Sequence, residues 1–143
     1  MKTITLPGIE LKEVPERSRM TFLPRYFPRD YIRAENQLYN IADLMLVGYT
    51  GGYWAFAVLK LDDGSRFPVF VLKSEHNRQK ISNPLSGEEV EVDDILAGII
   101  VTIYTGQYLD NDNGYTIADQ LTRFAYDYAK LTGQSQQAFD MLD

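Results

Sequence analysis

The sequence predicts an α+β fold in a single domain, a small antiparallel sheet of about three to four strands packed with about three to four helices. Three observations predict it. Apolar residues recur at helical spacing in long segments after Asp30, Asp93 and Gly114. Short strand-like runs flank Asp62-Asp63-Gly64, a turn signal that predicts an antiparallel pair. The strand patterns are gathered in one part of the chain instead of alternating with helices.

Each element follows in order. Residues 1–18 carry Pro7, Gly8 and Pro15 among alternating charges and read as an irregular, extended N-terminal arm, with residues 19–143 as the folded domain. Arg19–Leu23 reads as a short strand with Met20 and Phe22 on one face, and Pro24 and Pro28 bracket a connector. Asp30 is a candidate N-cap for a first helix over Tyr31–Val47, where Leu38, Ile41, Ala42 and Met45 keep helical spacing and Gly48 is the stop. Tyr49–Gly52 form a Gly-rich turn. Tyr53–Lys60 and Phe67–Leu72 then read as paired strands, with Pro68 placing its missing N–H away from the ladder.

The stretch Lys73–Gly87 is polar and reads as irregular, and Glu88–Val92 alternates as a further short strand. Asp93 is a good N-cap for a second helix, Asp94 to about Leu109. Within it, Ile99–Tyr104 is β-rich enough to suit a strand, but the cap and the length favour helix. Asp110–Gly114 reads as a turn, Thr116–Leu131 as a third helix ended by Gly133, and Ser135 as the cap of a last short helix through Leu142.

Composition narrows function. With 143 residues, 45% of them hydrophobic, one core suffices without staples, and no cysteine is present to form a disulfide, a thiolate metal site or a thiol nucleophile. That suits a reducing, cytoplasmic setting. The longest apolar stretch, Ile95–Tyr104, is too short to span a bilayer, so a soluble protein without membrane contact is expected. The net charge of −6 repels DNA phosphate, so no strong direct DNA binding is expected. A DNA mimic needs dense carboxylates, whereas 14 Lys and Arg residues lie among the 20 acids here, so a solvated acidic surface is the better reading.

No constellation for catalysis is legible, and neither a cofactor nor a metal is expected. The single histidine, His76, sits in a polar loop with no second histidine at ligand spacing. Asp110-Asn111-Asp112-Asn113-Gly114 opens like a calcium loop, but the positions that need glycine and glutamate hold Tyr115 and Leu121. Gly51-Gly52 lacks the phosphate-loop pattern and precedes a strand. Two features remain as candidate surfaces. Tyr49, Tyr53 and Trp54 around the glycines suit either a recognition patch or the core, with the core favoured for Trp54. Arg17, Arg19, Arg25, Arg29 and Arg33, interleaved with Tyr26, Phe27 and Tyr31, suit a nucleic-acid patch or, as the better reading, salt bridges to the abundant acids.

Two segments carry a family resemblance. Arg19-Met20-Thr21-Phe22-Leu23-Pro24-Arg25-Tyr26-Phe27 resembles the R-x-x-F-x-P-R-x-F pattern near the start of KlcA/ArdB antirestriction proteins. Tyr49-Thr50-Gly51-Gly52-Tyr53-Trp54-Ala55-Phe56 resembles the Y-x-G-G-x-W-x-F pattern after that family's first long helix, and the tail ending Leu142-Asp143 is similar too. The chain departs from the family at Leu61–Arg66 and over residues 73–92. The resemblance implies a non-enzymatic protein of plasmids, phages or genomic islands that alleviates type I restriction–modification of incoming DNA, without DNA mimicry. Its implied partner is a type I restriction endonuclease complex. On this reading the candidate partner-binding residues are Arg25, Tyr49, Gly51, Gly52 and Trp54. The alternative is a nucleic-acid-binding module built on the Arg17–Arg33 cluster.

Overall fold

The computed structural model describes residues 3–51 and 54–143. Strands β1 (Thr3–Leu6), β2 (Ile9–Glu13), β3 (Trp54–Leu61) and β4 (Arg66–Leu72) form an antiparallel sheet in that order. Helices α1 (Arg19–Tyr26) and α2 (Tyr31–Met45) lie between β2 and β3 in sequence. After β4 come a two-stranded sheet of β5 (Arg78–Ser82) and β6 (Glu89–Asp93), then α3 (Asp94–Tyr108), α4 (Asp112–Leu131) and α5 (Ser135–Leu142). The α+β class stands. Among the described residues no helix is long and apolar enough to cross a membrane.

Four local expectations are corrected. Most of the irregular arm is a hairpin: Leu6 pairs with Ile9 across Pro7-Gly8, and β2 pairs with β3. Gly8 supplies the positive φ (75°) that the tight corner needs. The alternation Ile4, Leu6 and Ile9, Leu11 was present but interrupted by its own turn. The expected strand at Arg19–Leu23 is helix α1. Phe22, Leu23, Tyr26 and Phe27 recur at helical spacing, which turns Phe22 inward and leaves Met20 91% exposed. Pro24 costs a backbone bond, and the helix ends two residues later. Within the polar stretch after Lys73, β5 forms on one apolar anchor, the fully buried Ile81, which bridges to Leu46. Asp30 makes no capping bond, and its carboxylate instead accepts from Asn111 Nδ2 at 2.7 Å, tying the start of α2 to that of α4.

The core is organised by α3, which is buried along almost its whole length and packs on β4, α2 and α4. It is helical throughout, and Asp93 caps it by accepting from the Leu96 N–H at 2.8 Å. It also closes the β4 edge. Thr102 Oγ1 accepts from the Phe70 N–H at 2.9 Å and donates to the Gly98 carbonyl at 2.7 Å. Phe70 N therefore faces the open edge, and Pro68, two residues earlier, has its missing donor on the same side, as expected. A Cβ at Gly98 would lie 2.2 Å from the Phe70 carbonyl oxygen, so only glycine permits this approach.

Candidate functional site

The two sequence motifs fold into one node. The Arg19 guanidinium donates from Nη1 to the Trp54 carbonyl at 2.6 Å and sits 4.4 Å over the Phe56 ring. Phe22 stacks on Phe56 with centroids 4.7 Å apart, and Phe70 lies edge-on to both. Phe27 stacks on Phe70 at 6.3 Å. Helix α1 thus delivers its Arg and Phe side chains onto β3 and β4, and the shared pattern is in large part a folding signature.

The candidate residues divide accordingly. Trp54 is buried at 3% exposure, and its indole Nε1–H donates to the Tyr49 hydroxyl at 3.0 Å. Tyr49 is half-buried, and its ring lies 6.4 Å from that of Trp54. Gly51 is exposed with φ of 89°. Arg25 is exposed, with its guanidinium 5.9 Å over the Tyr26 ring. Gly52 and Tyr53 lie outside the described residues.

Sequence reasoning missed Tyr39 here. Burial pushes its hydroxyl pKa up; the charge of Glu35 and the Tyr49 hydroxyl reinforce the shift, and Arg19 opposes it. Tyr39 thus lies within electrostatic reach of Glu35, Tyr49 and Arg19. The Glu35/Tyr39 spacing of four on a helix could have signalled the pair.

The early arginines behave differently from one another. Arg19 pairs with Glu16 at 3.8 Å. Arg17, Arg25, Arg29 and Arg33 are exposed, and among the described residues none is within 4 Å of a carboxylate oxygen, so the salt bridges expected for them do not form. They occupy the turn before α1, the end of α1, the connector and the first turn of α2.

Elsewhere, polar clusters fasten the fold. Asp94 accepts from the Ser74 N–H and Oγ (2.8 Å each) and from Gln79 Nε2 (3.2 Å), holding the β4–β5 loop. Asp93 accepts from the Tyr128 hydroxyl (2.8 Å) and Gln134 Nε2 (3.0 Å). Burial first, then the bond to Asp93, pushes the Tyr128 pKa well up. In the former calcium-like segment, Asn111 caps α4 through the Gly114 N–H at 2.8 Å. His76 is exposed. Among the described residues no three His, Asp or Glu side chains converge as metal ligands.

No family model matches the chain. It is 32% identical over 113 residues, 77% of its length and 76% of the relative's, to a protein of Escherichia coli (strain K12) named "Putative antirestriction protein YubI". Its fold matches a solved KlcA/ArdB structure with a TM-score of 0.67 and 26% identity, over 94% of this chain and 97% of the other. That structure is described as a novel fold with antirestriction activity against type I DNA restriction systems in vivo but not in vitro.

Proposed function

Because this chain belongs to the KlcA/ArdB family of antirestriction proteins, we propose that it alleviates type I restriction of incoming DNA inside the cell, by a non-enzymatic mechanism that is not DNA mimicry. The observation that carries the reading is joint likeness: sequence identity to one antirestriction relative and a near full-length fold match to another. Activity in vivo but not in vitro, stated for the solved relative, suits indirect action in the cell, such as regulation of a restriction complex, more than simple contact with the purified enzyme. Mimicry is disfavoured because 14 Lys and Arg residues lie among the 20 acids, and the arginines at 17, 25, 29 and 33 are exposed. The candidate contact residues on this reading are Arg25, Tyr49 and Gly51, none of them fully buried, with Trp54 donating to the Tyr49 hydroxyl. Gly52 is a candidate by its place in the sequence alone.

The test is the plating of unmodified phage on a strain with an active type I system, with and without the protein. Recovery toward a restriction-deficient control, with methylation intact, supports the proposal. Unchanged plating against several type I families, with abundant folded protein, overturns it.

A second reading has its own observation, the four exposed arginines without an acidic partner. If they bind DNA phosphate, the logarithm of affinity falls with the logarithm of salt with a slope of about −3 to −4. A flat salt dependence removes it.

A further inference from the structure

On another part of the molecule a groove of about 460 Å³ runs between the β5–β6 connection, the C-terminal half of α3 and the end of α5. Its floor is built and fastened. Asn83, 7% exposed, donates from Nδ2 to the carbonyls of Asp140 (3.0 Å) and Met141 (3.4 Å) while its Oδ1 accepts from the Leu85 N–H at 2.9 Å. The Tyr104 hydroxyl donates to the same Met141 carbonyl. Two large apolar side chains stand at its walls without cover, Leu85 at 87% exposure and Phe139 at 53%. The acids in the lining are Glu88, Asp140 and Asp143, and no lining residue is Lys, Arg or His.

Exposed apolar anchors over a rigid floor are what a binding hot spot requires, and a wall of one charge sign selects the partner's sign. We propose that this groove docks a basic protein segment bearing one or two large apolar side chains. The apolar groups would seat between Leu85 and Phe139, and Lys or Arg side chains would face Glu88, Asp140 and Asp143. The charge complementarity decides the occupant: nucleic acid and acidic segments are repelled by the same carboxylates. The proposal rests on this face alone and does not depend on the antirestriction reading.

The test is fluorescence anisotropy of the full chain at physiological salt with a labelled peptide of repeating Lys-Leu-Leu-Lys. Control peptides replace Lys by Glu or Leu by Ser. The wild type should bind the first peptide and neither control. Phe139→Ser, Leu85→Ser and the pair Glu88→Lys, Asp140→Lys should each weaken binding about tenfold or more, while Glu75→Ala, an exposed acid outside the groove, should not. Leu85 and Phe139 are exposed, so these variants keep the fold, and amide chemical-shift mapping on the wild type should place the peptide in the groove. Equal binding by the groove variants, equal binding of the Leu→Ser peptide, or shifts mapping elsewhere would overturn the proposal. So would self-association abolished by Phe139→Ser, which would make the occupant a second copy.

Discussion

Replacing the Arg19 guanidinium by an apolar side chain of similar length removes a charge-assisted bond to the Trp54 carbonyl and a cation–π contact with Phe56. Arg19→Met should therefore cost about 2 kcal/mol of stability in urea unfolding, whereas Arg25→Ala, which frees an exposed side chain, should stay within about 0.5 kcal/mol. Phage plating then separates the roles. Loss of antirestriction in Arg25→Ala at unchanged stability assigns Arg25 to a partner surface, and full activity removes it from that surface. Trp54→Phe loses the Nε1–H bond to Tyr49 and leaves the space of the missing indole atoms in a buried site, so a cost of about 2 kcal/mol is expected.

Among the elements, α3 and its contact with β4 carry the sharpest expectation. Thr102→Val keeps the shape but leaves the Phe70 N–H without an acceptor at the covered sheet edge, for a cost of about 1–3 kcal/mol; Thr102→Ser keeps the hydroxyl and should cost less. Gly98→Ala forces a methyl against the Phe70 carbonyl and should lower the urea midpoint further, because backbone on both sides must move. The pairing of β3 with β4 and the helices α2 to α5 were legible because periodicity and the Asp62–Gly64 turn agreed along the chain; of the expected caps only Asp93 makes its bond, since α5 starts after Gln134 and Ser135 does not cap it. The short elements were not. β5 holds one buried apolar residue, Ile81, whose partner Leu46 is distant in sequence, and α1 hid its helical spacing behind Pro24. The candidate site was legible as a pattern of residue types. That Arg19 crosses to the Trp54 carbonyl depends on α1 meeting β3 across a long stretch of chain and so could not be read locally.

At the scale of the whole molecule, the titration of its tyrosines sets an alkaline limit on stability. Burial and then the bond to Asp143 push the Tyr126 hydroxyl up to about 12, and Tyr128 and Tyr104 are raised as well, Tyr104 chiefly by burial. Tyrosines in the unfolded chain ionise near pH 10 (roughly). Above that pH the unfolded state has released protons that the folded state still holds, so the unfolded state binds fewer and stability falls as pH rises. Below it both states are protonated and these residues' contribution is complete. Urea unfolding followed from neutral pH upward should thus show a plateau and then a decline beginning near pH 10 (roughly). Tyr128→Phe removes one such site, so its decline should be shallower by up to one proton's worth of slope. Its neutral-pH stability should also be lower, because Asp93 Oδ2 then keeps only Gln134 as a side-chain donor. A variant with lower neutral stability but an unchanged alkaline slope would mean that Tyr128 ionises no later in the folded chain than in the unfolded one, and the Asp93–Tyr128 bond would then be a packing contact without a hold on the proton.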